Sequence, residues 1–281
     1  MTPPSPDWPG LPSLLAGLLL SAAIGWLAYR RRALSSSGMV GAVITGTILF
    51  GVGGWDWGIL LLTFFISSSL LSRYRADAKS GLAEKFAKGH QRDLGQALAN
   101  AGVASLLALT QLVWDHPLLY VGCAGAMAAV NADTWSTELG VLSHRPPRLI
   151  TTGRPVEVGT SGAVTGLGLV ATLAGSGLIG LTAAAAAAVG GGTARESAAS
   201  LLGAVAGGVT GSLFDSLLGA TVQAIYWCEC CNKETERRVH LCGTATRRVR
   251  GLSWLRNDGV NLLCSVMGAA VALGIGLAIV A

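Results

Sequence analysis

Charge is scarce in this sequence: only 12% of its 281 residues are Asp, Glu, Lys or Arg, against 51% hydrophobic. That balance excludes a soluble globular domain, which carries about twice as much charge. Aromatics are scarce as well, at 6%, which argues against an outer-membrane barrel with its aromatic girdles. Helices are the remaining way to satisfy a membrane-spanning backbone, so the expected class is an all-α polytopic membrane bundle. No Lys or Arg precedes Arg30. The first apolar run therefore lacks the basic flank of a cleavable signal peptide and is read as a permanent helix. A secreted disulfide framework is missing too. Cys123 and Cys264 fall in apolar runs, while Cys228, Cys230, Cys231 and Cys242 cluster in one basic stretch, as expected on a reducing side.

What is present is a series of eight apolar runs near the roughly 20 residues a crossing needs. They are Leu11 to Tyr29, Gly38 to Gly53, Trp57 to Ser72, Gln96 to Val113, Pro117 to Gly140, Gly162 to Val189, Ser197 to Gln223 and Asn257 to Val280. The second is short and glycine-rich, the pattern of a re-entrant or broken helix, which leaves seven crossings as the alternative. With eight, every Lys and Arg except Arg195 falls on the same side. The positive-inside rule makes that side cytoplasmic and both termini extracytoplasmic. The formal charge of +5 is thus a topology signal, and no nucleic-acid partner is expected. Residues 1–281 read as one transmembrane domain with cytoplasmic loops 73–95, 141–161 and 224–256. The 39 glycines, among them Gly203, Gly207 and Gly211 at four-residue spacing, suit close helix packing in lipid.

Chemistry concentrates at the cytoplasmic ends. The stretch Asn131 to Gly140 places Asp133 and Glu138 at the mouth of the fifth run, where ionised groups are costly unless they face protein, water, a cation or a polar ligand. Asn131, Thr134 and Glu138 lie near one helix face. Asp215, followed by Ser216, sits near the inner end of the seventh run, and Asn257, Asp258 and Asn261 open the eighth, with a helix cap as the ordinary reading of Asp258. Topology brings Asp133, Asp215 and Asp258 to one depth, a hard-oxygen set suited to Mg²⁺ bridging to phosphate. Gly159-Thr160-Ser161-Gly162 is expected to open the sixth helix as an anion cradle, with a plain Ser/Thr cap as the alternative. It lacks the Gly-Lys-Ser/Thr ending of a P-loop. Asn100, one turn or more into the fourth run, suits a ligand or a neighbouring helix. Cys228, Cys231, His240 and Cys242 form a CxxC pair and an HxC pair, four donors for a structural zinc ion, with reduced unliganded thiols as the alternative.

These elements resemble an integral membrane family typified by the plant chloroplast phytyl-phosphate kinase. The matching stretches are Gly95 to Asn100, Asn131 to Gly140, Gly159 to Gly162, Asp215 to Gln223, the Cys and His loop, and Asn257 to Asn261. They occur in order over most of the chain. The resemblance implies a membrane kinase that transfers a phosphoryl group from CTP or ATP to a prenyl monophosphate, phytyl or geranylgeranyl. The expected location is the inner or plasma membrane of a prokaryote, with the active site on the cytoplasmic side. Asp133, Asp215 and Asp258 would then hold Mg²⁺, Arg154, Thr160 and Ser161 would steady phosphates, and the prenyl tail would lie among the helices and membrane lipids. A CTP-dependent lipid cytidylyltransferase and a lipid or solute transporter are the alternatives.

Overall fold

The computed structural model describes residues 9–79, 85 and 91–280, so part of the expected loop 73–95, Lys88 included, lies outside the described residues. Nine helices form among them: α1 (Leu11–Arg30), α2 (Ser36–Ile48), α3 (Trp55–Arg73), α4 (Ala76–Lys79), α5 (Leu94–Thr110), α6 (Pro117–Gly140), α7 (Gly166–Val189), α8 (Ala194–Thr221) and α9 (Asn257–Val280). Each expected apolar run coincides with one of the eight longer helices. Six of these, α1, α2 with its extension, α3, α7, α8 and α9, are long and apolar enough to cross a membrane. α5 is a shorter apolar helix. The second run is not broken but widens into a π turn at Leu49–Gly53. Gly54, at φ +90°, then reverses the chain into α3.

α6 stands at the centre. Apart from Tyr120, every residue from Leu118 to Ala132 is buried, because the helix packs against α3, α5, α7, α8 and α9. Its apolar residues run all round rather than along one stripe, the pattern of a wholly enclosed helix. Small side chains bring the backbones together. A Cβ added at Gly125 of α6 or at Gly207 of α8 would strike the carbonyl oxygen of Gly268 on α9. One at Gly211 would come within 2.5 Å of the Ala129 Cβ. The glycine face expected on α8 is therefore the seam where three helices touch.

The two ends of the bundle differ. At one end the links are short, and Tyr120 Oη donates to the carbonyls of Ala183 (3.2 Å) and Asp56 (3.3 Å), tying α6 to α7 and α3. The other end carries the long links, and these hold the strands. Arg148–Leu149 (β1) pairs antiparallel with Ala163–Val164 (β2). Ile225–Cys228 (β3) is the middle strand between Lys233–Thr235 (β4) and Arg247–Arg250 (β5). The bundle is helical as expected, and these two small sheets are the addition. β2 also displaces a helix start. Ala163 and Val164 are drawn into pairing with β1, so α7 begins at Gly166 and not at Gly162, capped by Thr165 Oγ1, which accepts from Gly168 N at 3.0 Å.

Candidate active site

At the end with the long links, a polar cavity of about 300 Å³ opens between α3, α5, α6, α8, α9 and the two sheet-bearing loops. α6 delivers Asp133 to it where the helix emerges from the core, and α8 delivers Asp215 and Ser216 from its last two turns. Asn257 and Asn261 line it from the first two turns of α9, and Asn100 from the second turn of α5. The start of α5 is fixed by a capping box, in which Asp93 accepts from Gln96 N and the Gln96 side chain accepts from Asp93 N. Gly159, Thr160 and Ser161 reach the cavity from the loop before β2. These candidates, far apart in the chain, share one chamber.

Glu236, just after β4, lines the same cavity and was not expected there. Asp133, Asp215 and Glu236 sit close enough to repel one another. Asp215 Oδ2 is buried with no hydrogen-bond partner among the described residues, a costly state unless a cation or polar ligand completes it. A short relay holds the flank of this cluster: Ser161 Oγ donates to Gln223 Oε1 at 2.9 Å, and Gln223 Nε2 donates to Glu236 Oε1 at 2.8 Å. Gly162, at φ +82°, lets this loop lie on the end of α8, where any Cβ would collide with the Ala220 backbone. The loop is a strand-flanked turn four residues before α7, so its amides are not those of a helix N-terminus.

Other candidates stand elsewhere. Asn131 is fully buried behind the cavity. It donates to the Gly175 carbonyl (2.8 Å) and accepts from Ser67 Oγ (3.0 Å), joining α6 to α7 and α3. Arg154 is exposed and outside the cavity lining. Asp258 sits on the first turn of α9 but is absent from that lining, while its neighbours Asn257 and Asn261 are in it. Glu138 does face the cavity, but its carboxylate is engaged by Lys79 Nζ and Ser72 Oγ, each at 2.6 Å. That makes it a clamp on α4.

Arg92 belongs with Arg73, Arg75 and Lys79 to a basic loop whose sequence suits lipid headgroups or phosphate, with a topology signal as the ordinary reading. The Arg92 guanidinium donates to Ser68 Oγ at 2.8 Å and lies over the rings of Phe64 and Phe65. With Asn100 it lines both the polar cavity and an apolar one of about 70 Å³ between α1, α2, α3 and α5. On the outer rim, the hydrogen bond and charge of Lys85 hold the Glu157 carboxyl below its usual range, with Lys85 Nζ 2.8 Å away.

The four zinc-ligand candidates converge as well. One donor atom from each of Cys228, Cys231, His240 and Cys242 lies within 4.8 Å of the others.

Residues 19–269 match the family described as integral membrane protein DUF92. Protein PGR of Arabidopsis thaliana is 37% identical over 89% of this chain and 91% of its own length. An uncharacterized membrane protein of Methanocaldococcus jannaschii is also 37% identical, over 92% and 93%. Protein VTE6, chloroplastic, of Arabidopsis thaliana is 26% identical over 85% of this chain and 64% of its own. No solved structure matches. A match over nearly the full length, on a bundle with six helices able to cross a membrane, places this chain in the DUF92 family of integral membrane proteins.

Proposed function

We propose that this membrane protein is a prenyl monophosphate kinase, transferring the γ-phosphoryl group of CTP or ATP to a phytyl- or geranylgeranyl-type monophosphate. The observation that carries the reading is the junction of two cavities, one polar with clustered carboxylates and one apolar, at Arg92 and Asn100. A lipid with a charged head and an apolar tail suits such a junction. The distant likeness to VTE6 supports a kinase of prenyl phosphates.

The donor set fits Mg²⁺: carboxylate oxygens, one of them buried without a hydrogen-bond partner. Asp133, Asp215 and Glu236 would hold the ion, with Glu236 in the place the sequence assigned to Asp258. The ion would neutralise the triphosphate and the charge that develops on the transferred group. Arg92 and Asn100 hold the lipid phosphate where the tail enters the apolar cavity, and Thr160 donates to the nucleotide phosphates, while Ser161 keeps its hydroxyl on Gln223 and so steadies Glu236 beside them. Ser216, Asn257 and Asn261 line the wall behind them. An oxygen of the prenyl monophosphate attacks the γ-phosphorus, the bond to the β-phosphate oxygen breaks, and the nucleoside diphosphate leaves with that electron pair. Because the nucleophile is already anionic, the protein needs to position and neutralise, and no side chain need be phosphorylated. The excess of Lys and Arg in the long loops supports a chamber on the cytoplasmic side.

The test is incubation of the purified protein with labelled CTP or ATP and a prenyl monophosphate. A prenyl diphosphate and a nucleoside diphosphate are expected. Pyrophosphate with a CDP-lipid would establish the cytidylyltransferase instead, and no turnover with any prenyl phosphate would remove the kinase reading.

A further inference from the structure

The loop between α8 and α9 folds around two tight turns that face each other. In the first, Asn232 N donates to the Cys228 carbonyl at 2.8 Å, and Asn232 takes a positive φ of 54°. That reversal swings Cys231 back beside Cys228 before β4 begins. In the second, His240 N donates to the Thr244 carbonyl at 3.0 Å and Gly243 takes φ +84°, which turns His240 and Cys242 the same way. The two turns are joined through β3, which pairs with both β4 and β5. Cys228 Sγ and Cys242 Sγ are 3.7 Å apart, and His240 Nδ1 is 3.2 Å from Cys242 Sγ. A tetrahedral zinc with Zn–S bonds of about 2.3 Å has ligand sulfurs about 3.8 Å apart, whereas a disulfide would need about 2.0 Å. Cys230, between two of the donors, points out and is exposed.

This ribbon also carries two residues of the polar cavity. Gln223 precedes β3 by two positions and Glu236 follows β4 directly. The hairpin register, Tyr226 opposite Thr235 and Cys228 opposite Lys233, fixes the distance from the cysteine end of the ribbon to the cavity end.

We propose that Cys228, Cys231, His240 and Cys242 bind one zinc ion, and that the zinc-clamped ribbon is the positioning device that keeps Glu236 against Asp133 and Asp215. Three thiolates and a neutral imidazole close the tetrahedron with no position open to solvent, the form of a structural site. With only a few short strands and little apolar surface of its own, such a ribbon depends on metal for its fold. The zinc half stands on the ribbon alone. The positioning half rests on the reading of Asp133 and Asp215 as cation ligands.

Elemental analysis of the full-length protein in detergent should find one zinc per chain, retained in Cys230→Ser and lost in Cys231→Ser and in Cys242→Ser. Cobalt exchanged into the site should give the visible bands of tetrahedral thiolate coordination. No zinc in the purified protein, or equal zinc in the ligand variants, would overturn the site. For positioning, Mn²⁺ binding followed by electron paramagnetic resonance is the readout, free of any lipid or nucleotide. Removing zinc with a chelator, or Cys231→Ser, should weaken Mn²⁺ binding roughly tenfold, as loss of a supporting partner does elsewhere, and Glu236→Gln should do the same in zinc-loaded protein. If Glu236→Gln weakens Mn²⁺ but zinc removal does not, the ribbon is no positioning device while the carboxylate site stands. If Asp133→Asn leaves Mn²⁺ binding unchanged, the carboxylate reading itself fails.

Discussion

Lys79 Nζ and Glu138 Oε2 lie 2.6 Å apart, joining the short helix after α3 to the last turns of α6. Lys79 is 7% exposed and Glu138 20%, so water does little to screen them. Glu138→Gln is predicted to leave a buried ammonium without its counter-ion at a cost of about 2–3 kcal/mol, below the roughly 3–5 of a fully enclosed pair. Thermal unfolding in detergent measures it. An unchanged melting temperature would show that the pair contributes nothing to the fold.

Asp215→Asn and Asp133→Asn should each lower lipid phosphorylation by at least about a hundredfold, the scale for losing one group that stabilises transition-state charge, with folding intact. Asp258→Asn should cost less than about tenfold, because Asp258 is outside the cavity lining. Equal losses at all three positions would return Asp258 to the metal set and displace Glu236.

Asn131→Ala removes a fully buried amide that bonds to both Gly175 and Ser67. The Gly175 carbonyl is then left without that donor, and about 1–3 kcal/mol of stability should go with it. Steady-state kinetics on the surviving folded protein should show KM for nucleotide unchanged. A large rise in that KM would mean that Asn131 touches substrate.

Gly162→Ala sets a side chain at φ +82° and drives it into the Ala220 backbone. The loop carrying Thr160 and Ser161 must lift off α8, so KM for the nucleotide is expected to rise by about tenfold or more, in line with about 1–2 kcal/mol of strain and lost contact. Titrating nucleotide against the variant checks it.

Acid should loosen the outer rim. Lys85 holds the Glu157 carboxyl below its usual range. The pair's stabilisation is therefore present above the ordinary carboxylate pKa and is lost as pH falls through the lower folded value. Exposure of Glu157 keeps the effect small. Glu157→Gln should erase this part of the pH dependence, read as proteolytic sensitivity of the rim between pH 5 and pH 3.

The helices were legible because lipid leaves one solution for a long apolar run, and the convergence of Asp133 with Asp215 followed from counting crossings. Glu236 was not legible. It sits in a polar loop among other charges, and only the register of β3 with β4 carries it to the cavity. The cradle at Gly159 to Gly162 was half legible: its residues reach the chamber, but pairing of Ala163 and Val164 with Arg148 and Leu149 took the helix start away from it. Asn131 shared a motif and a face with cavity residues, yet one turn of α6 separates the enclosed interior from the chamber. Arg92 was half legible: its basic loop suits lipid headgroups or phosphate, but nothing local shows that Phe64, Phe65 and Ser68 will pack around it.

The contact of Gly125, Gly207 and Gly268 has a mechanical corollary. Where main chains already touch, neither sliding nor rotation is available without prising the trio apart, so α6, α8 and α9 act as a stator. Among the described residues, α1 packs chiefly on α2 and its π turn. On the proposed function, the prenyl tail is expected to enter at that periphery, and a cross-link stapling α1 to α3 should block its entry while leaving the carboxylate cluster unchanged.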